Sequence, residues 1–516
     1  MTSDKEFQMT KAGQDVVAES AAEYVLPDYN GDVRKILYSE VDVHPESKFI
    51  GDDGVEFSGS VSYKIVYSDA DNKISGTEFS SDYNYTIKCN TEGCDTVEIT
   101  PNVSNYAIRL LGPRRFSAKT YLCGNVRYTE NIDLSPKLDE KKDSGTLETK
   151  KKVIKVRKSA KTETVEREFA ESLGYLEGIG ENEIRILYSK ASAHADSVSI
   201  GSSAITLKGR LILKCILETE SFVAHTVEKK LPMEIDIPCE NIDNKKTVIP
   251  RLEVVSERFT ITPDQTGCDV VANIILECKA MTEENQEIEL LEDAFFTNCL
   301  TENTYRDFCY SEFVEKRLHG VKHNAEVNRA ELCEGAIRET VFVNATPKIE
   351  RIEPFENGIN VVGEIKYTGI MSEVNDDGSI GYTSLKYSLP FEENVNLDCQ
   401  IAENNRFDVK ISSEDAAANL DAQKVYLSSA LTIEVLVSRE MSVRSVSESV
   451  ANENEKYPVE RATVKVYYPE PREDLFEIAR KYHVSVASVS EKNSLTEEVS
   501  FGDERDIKLP KKLIIY

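Results

Sequence analysis

Residues 54–67, GVEFSGSVSYKIVY, alternate apolar and polar side chains around Gly59. Val55, Phe57, Val61, Tyr63, Ile65 and Tyr67 share one face, and this period of two predicts a half-buried β-strand. The pattern returns twice. Residues 204–217, AITLKGRLILKCIL, place Ile205, Leu207, Leu211, Leu213, Cys215 and Leu217 on one face around Gly209. Residues 358–371, GINVVGEIKYTGIM, do the same with Ile359, Val361, Ile365, Tyr367 and Met371 around Gly363. The three glycines stand 150 and 154 residues apart. Glycine inside a strand costs stability, so its return predicts a bulge or a close backbone approach. The opposite face turns apolar at one shared offset: Val66, Ile216 and Ile370 each lie seven residues after their glycine. A shared exception to a pattern argues for common origin more strongly than the pattern does.

Each repeat carries matching strands on either side. Upstream stand VRKILYSEVDV (33–43), EIRILYSKASAH (183–194) and RETVFVNATPK (338–348). Downstream stand YAIRLLGPRRFSAKTYLCGNV (106–126), RFTITPDQTGCDVVANIILEC (258–278) and KVYLSSALTIEVLVS (424–438). Cys89 and Cys239 each follow their glycine by 30 residues and Cys399 by 36, the loop EVNDDGSIGY with Asp376 and Asp377 accounting for the longer gap. These cysteines are expected to be buried small apolar residues. A repeat of this length is too long for a solenoid unit, so each is expected to be a self-contained β-rich domain. The expected divisions are an N-terminal tail over 1–19, repeats over 20–145, 165–322 and 323–445, a linker over 446–461, and a last domain over 462–516. The charged stretch 139–166 reads as a solvated linker or edge strand. Within it Lys150 to Lys161 holds seven bases and no acid, which leaves a docking patch for an acidic partner as the alternative. Residues 438–461, Ser/Glu-rich, read as a flexible tether.

The chain has 516 residues, 91 acids against 62 bases, and a net charge of −29. Such a chain repels phosphate backbones, so no nucleic-acid partner is expected. The opening residues lack the apolar core of a signal peptide, and no apolar run approaches the ~20 residues that span a bilayer; a cytosolic protein with no transmembrane segment is expected. The 11 cysteines, odd in number and scattered, read as free thiols, with late oxidation into crosslinks as an alternative. No phosphate loop, H-E-x-x-H or G-x-S-x-G occurs, so neither enzymatic activity nor a cofactor is expected. His319 and His323 would share a helix face and could chelate zinc beside Cys299, Cys309 and Cys333, but the cysteine spacing fits no finger and no metal is expected. Arg109, Arg114 and Arg115 read as ion-paired residues around a Gly112-Pro113 hairpin, or as a charge contact with a partner.

From Ala462 the pattern changes. VKVYY reads as a strand, and Leu475, Phe476, Ile478, Ala479 and Tyr482 recur at helical spacing behind Asp474 as a cap. VSVASVSEKNSL reads as a second helix capped by Ser485, and KLPKKLIIY as a closing strand. DLFEIARKYHVSV, Asn493-Ser494-Leu495 and LIIY together resemble the LysM domain, a small βααβ fold. Where that family carries Gly-Asp-Thr this chain has Arg472, Glu473 and Asp474, which alters the loop that contacts N-acetylglucosamine in glycan-binding members.

The repeats carry a second resemblance. LPDYNGDVRKIL (26–37) is similar to the opening motif of the SPOCS domain, and LLGPRRFSAKTYL (110–122) to its closing motif. The first repeat has both; the other two are degenerate. The resemblance covers roughly residues 20–445. The expected architecture is therefore mostly β, with three tandem homologous, sandwich-like SPOCS domains followed by a small α+β LysM domain. This layout resembles the SipL-like spore morphogenetic proteins of clostridia. The resemblance implies a non-enzymatic scaffold in the mother-cell cytoplasm, at the forespore surface, that links the coat basement-layer ATPase (SpoIVA-like) and other coat proteins through its LysM domain. On that reading the partner surface is Asp474, Leu475, Phe476, Arg480, Asn493 and Leu495, with Leu475 and Phe476 alternatively core. The competing expectations are a wall or cortex protein that binds peptidoglycan through the LysM domain, and an adaptor outside sporulation.

Overall fold

The computed structural model describes residues 6–44, 47–51, 54–87, 94–99, 102–139, 145–219, 223–239, 246–332, 336–375, 378–421, 423–457, 464–470, 473–495 and 509–515. Cys89, Cys333, Asp376, Asp377 and Arg472 lie outside the described residues. The protein is mostly β, with three short α-helices among the described residues, none long and apolar enough to cross a membrane.

The three glycine-centred segments become the middle strands of three similar sheets. The first unit comprises β1 (Glu6–Val25), β2 (Val33–Val43), β3 (Ser47–Gly51), β4 (Gly54–Asp69), β5 (Ile74–Ile87), β6 (Cys94–Ile99), β7 (Asn102–Gly112) and β8 (Arg115–Asp133). After the short β9 (Lys137–Asp139) come β10 (Leu147–Lys161), β11 (Val165–Glu177), β12 (Ile184–Ile200), β13 (Ala204–Thr219), β14 (Ala224–Pro238), β15 (Thr247–Pro263) and β16 (Gly267–Phe296). The third unit holds β17 (Cys299–Asn328), a single helical turn α1 (Arg329–Leu332), β18 (Ala336–Phe355), β19 (Gly358–Val374), β20 (Ile380–Asn396), β21 (Asn405–Leu420) and β22 (Lys424–Lys456). The chain closes with β23 (Lys465–Tyr467), α2 (Leu475–Tyr482), α3 (Val486–Lys492) and β24 (Leu513–Ile515).

In each unit one antiparallel sheet (β2-β4-β5, β12-β13-β14, β18-β19-β20) lies over a second, whose middle strand is β8, β16 or β22. The apolar faces read from the sequence fill the space between. Val61 and Tyr63 pack with Ala118 and Leu122 in the first unit. Leu211 and Leu213 pack with Val270 and Ala272 in the second, and Ile365 and Tyr367 with Leu431 and Ile433 in the third. Alternation follows because each sheet buries one face.

The repeated glycines have a common cause. Tyr83, Met233 and Phe391 pair directly with Gly59, Gly209 and Gly363 across the strands. A Cβ on Gly59 would lie 2.6 Å from the Tyr83 hydroxyl, one on Gly209 2.9 Å from the Met233 methyl, and one on Gly363 2.8 Å from the Phe391 ring. The leading strand crowds two of them further: the His194 and Lys348 carbonyl oxygens would stand 2.2 and 2.1 Å away. The large partner occupies the space a side chain would need.

The shared apolar exceptions meet. Val66, Ile216 and Ile370 lie in one core cluster at the centre of the molecule. Their cross-strand partners are Tyr38, Tyr188 and Phe342. Each leading strand bulges just before that residue, between Ile36 and Tyr38, Ile186 and Tyr188, Thr340 and Phe342. A bulge re-aims side chains, and here both the extra residue (Leu37, Leu187, Val341) and its neighbour enter the junction. The third strands add Ile74, Ala224 and Tyr382. Every unit thus contributes four residues at equivalent positions around a pseudo-threefold centre. The three rings form a triangle, with centroids 5.4, 5.0 and 5.2 Å apart.

Contacts between units run in a closed circle. Arg185 donates to the Ile74 carbonyl (3.2 Å), Thr226 to the Val341 carbonyl (2.5 Å), and Lys35 to Thr383 (3.3 Å). Such head-to-tail contacts close when the rotation permits. Polar groups at one further equivalent position break the symmetry. Glu40 accepts from Tyr38 (3.0 Å), Tyr188 and Lys190, while Asn344 donates to the Tyr38 hydroxyl (3.3 Å). Burial, reinforced by Glu40, holds the Tyr38 and Tyr188 hydroxyls well above the ordinary tyrosine range. Burial pulls Lys190 down, but Glu40 and Asp42 outweigh it and keep the ammonium charged.

Several sequence expectations are altered. β17 runs unbroken across the expected boundary at 322/323, and β1 already pairs with β8 from Glu6. The stretch expected as a tether is strand as far as Lys456, because β17 pairs with β22 along its whole length. There Val446 and Ala451 turn inward against a second ribbon, β10 on the far half of β16, meeting Leu291, Ala294 and Phe296. Within β10 one base of the run is tied down: Arg157 makes a two-point contact with the buried Glu283 (2.7 and 2.6 Å). Cys239 and Cys399 are half-buried rather than buried, since each lies just past the end of its strand. His319 and His323 stand on β17, not on a helix, and approach Glu393 at 3.9 and 3.3 Å. Cys299 is buried and Cys309 exposed. Among the described residues no group of three His, Cys, Asp or Glu is placed to hold a metal ion. Burial pushes the Cys215 thiol up to about 12 and Cys278 up to about 11, which keeps both out of thiolate chemistry.

Candidate functional site

The C-terminal module is built on capping and one small core. Asp474 Oδ1 accepts from the Glu477 N–H (2.7 Å) and starts α2; Ser485 Oγ accepts from the Ser488 N–H (3.2 Å) and starts α3. His483 takes the left-handed conformation that ends α2. Leu475, Ile478, Ala479 and Val489 pack with Leu513 and Ile515 of β24. The order strand, helix, helix, strand is the order expected from the sequence.

All six residues expected at a partner surface are engaged within the chain. Leu475 and Phe476 are buried. Phe476 meets Phe295 of β16 edge to face at 5.0 Å. The second carboxylate oxygen of Asp474 binds Lys150 of β10 at 2.6 Å, and Arg480 pairs with Asp293 of β16. Asn493 donates to the carbonyls of Val489 and Ile514 (both 2.8 Å) and accepts from the Ile514 N–H (2.7 Å), tying the turn after α3 to β24. Leu495 packs at the rim of the same core. Asp474, Phe476 and Arg480 therefore face the tip of the β10–β16 ribbon, while Asn493 and Leu495 hold the module itself together.

The other half of this seam escaped the sequence reading. Lys150, Asp293 and Phe295 lie far along the chain from α2, and Tyr457 stacks on the His483 ring at 3.5 Å. One signal existed: the basic run beginning at Lys150 read as a dock for an acidic partner. Lys150 meets an acid, but one in its own chain. Burial lowers the Lys150 pKa and Asp474 raises it, with a net shift upward.

A second built corner lies at the β7–β8 hairpin of the first unit. The Arg114 guanidinium donates to the carbonyls of Leu26 (3.2 Å) and Pro27 and pairs with Asp28 at 3.1 Å. Leu26 and Val33 donate their N–H groups to the Arg114 and Pro113 carbonyls (2.8 and 2.6 Å). Arg115 pairs with Glu23, and Arg109 is exposed. The two sequence motifs, LPDYNGD and GPRR, thus hold each other across the mouth of the sandwich.

Comparison with known proteins adds a family match to part of the first unit. Residues 32–111 match the family model described as SipL, SPOCS domain. That span takes in β2 through all but the last residue of β7. The match supports a SipL-like, sporulation-related protein with a mostly β fold. No curated protein and no solved structure matched the chain.

Proposed function

We propose that this protein is a non-enzymatic scaffold of spore-coat assembly, working in the mother-cell cytoplasm at the forespore surface. On this reading the three sandwiches are tandem SPOCS domains and the C-terminal module is a LysM domain turned to protein contact. That module links the coat basement-layer ATPase (SpoIVA-like) to the coat. The SPOCS-domain match carries the reading. Support for the repeats comes from equivalent bulges, equivalent glycine partners and equivalent junction residues in all three units. Support for the module comes from its strand and helix order and from the Asp474 cap. Several contact sites on one chain suit lattice assembly, where weak contacts sum.

The test is a pull-down from sporulating-cell lysate with the full-length chain as bait, beside sedimentation with purified peptidoglycan. Recovery of the basement-layer ATPase is the expected result. Sedimentation with peptidoglycan and no recovered ATPase would replace the scaffold by a wall or cortex protein.

A further inference from the structure

Docking of the module leaves one face of it outward. The sheet β23–β24 has two strands among the described residues, and its inner face turns Tyr467, Leu513 and Ile515 to the helices. Alternation predicts polar residues on the other face. It carries instead Val464, Val466 and Tyr468, which are 61, 49 and 69 % exposed, with Ile514 paired across from Val466. Val466 in β23 and Val464 and Tyr468 flanking it are exposed large apolar residues at alternate positions where polar ones are expected, and exposed apolar clusters mark contact surfaces. Lys512, the next outward position from Ile514, and Lys511 are both exposed. A basic border beside an apolar stripe contrasts with a chain of net charge −29. Among the described residues each strand of this sheet pairs along one edge only, and an unpaired edge can take a further strand.

We propose that this outward face, Val464, Val466, Tyr468 and Ile514 with Lys511 and Lys512, is the module's docking surface for an extended acidic segment of a partner protein. The segment adds to the sheet edge through its backbone, its apolar side chains cover the stripe, and its acids meet the lysines. The inference rests on the preceding reading of the module as a protein-binding element. It assigns the contact to the face opposite the one expected from sequence, because Asp474, Phe476 and Arg480 are already committed to the β10–β16 ribbon.

The experiment uses the full-length chain and a labelled peptide alternating Glu and Val, with a Lys-Val peptide as control. Val466 is half exposed, so Val466→Glu leaves the fold intact, which circular dichroism checks. The acidic peptide should bind the wild type, and Val466→Glu or the double change Lys511→Glu/Lys512→Glu should weaken it about tenfold or more. Arg480→Ala should leave it unchanged. Equal binding of both peptides, or binding indifferent to Val466→Glu, overturns the proposal. So does self-association of the chain that Val466→Glu abolishes, which would make a second copy the occupant. The lysate pull-down separates the two levels. If the ATPase is recovered equally by wild type and Val466→Glu, the scaffold reading stands and this surface falls. If no ATPase is recovered while the peptide result holds, the surface stands and the named partner falls.

Discussion

The central junction and the seam beneath the C-terminal module are both internal contacts, yet they are made of opposite chemistry. The junction joins twelve buried residues, four from each sandwich, around three packed rings. The seam sets two ion pairs and one stacked histidine, all partly open to water, around a single buried ring pair. Apolar burial is not weakened by charge screening and is costly to break, whereas exposed ion pairs are weak and screened. The difference implies a ring that is permanent and a module that can leave it.

The strongest way to break this comparison is to empty the junction. Phe342→Ala removes one ring of the triangle and should cost about 3–5 kcal/mol, read as a shift of the urea midpoint. The loss should also uncouple the sandwiches, so that one transition becomes two. A cost below about 1 kcal/mol would mean that the junction is incidental packing. Next in size is Gly363→Ala. Its new Cβ would press on the Lys348 carbonyl and the Phe391 ring, for an expected cost of about 1–3 kcal/mol. The double change Gly363→Ala/Phe391→Ala should cost less than the sum of its parts, since the ring that the methyl strikes is gone.

These two sites also show how far the sequence could be read. Period two around Gly59, Gly209 and Gly363 identified the middle strands, and their buried faces are the predicted ones. The shared offset at Val66, Ile216 and Ile370 argued for common origin without revealing that the three residues meet. Meeting depends on bulges at Leu37, Leu187 and Val341, and a bulge leaves no period of its own in the sequence. The long ribbons were hidden for another reason. In β22 beyond Arg439 the apolar residues packed with the other ribbon are the widely spaced Val443, Val446 and Ala451, and the intervening Ser and Glu residues read as a tether, although Ser445 is buried and donates to the Leu291 carbonyl. The module's fold was legible because caps and helical spacing are local. Its docking was not, because Lys150 and Asp474 are 324 residues apart and each looks like an ordinary surface charge.

The seam offers a smaller and more selective perturbation. Lys150→Ala with Arg480→Ala removes both ion pairs, each worth about 0.2–1 kcal/mol at such exposure. The ring should keep its urea midpoint, while amide exchange at residues 475–482 rises. Raised salt should reproduce part of this in the wild type and little in the double variant. If the double variant exchanges no faster, the edge-to-face contact of Phe476 with Phe295 holds the module alone, and the contrast drawn above loses its salt-sensitive half.

The smallest expected effect is the pH dependence of the same seam. His483 stacks on Tyr457, and partial burial, with Lys465 adding to it, lowers its pKa from the ordinary value. A histidine whose pKa is depressed in the docked state favours that state when neutral. Its contribution is therefore present above the free-histidine pKa of about 6.5 and is lost as pH falls through the lower, docked value. The module should open more often at pH 5.5 than at pH 7.5, most visibly after the ion pairs have been removed. Titration of the His483 ring signal by NMR checks the sign: a midpoint below that of the same residue in urea is expected. A midpoint at or above it would mean that protonation does not loosen the stack, and that Lys150 and Arg480 alone make the module releasable.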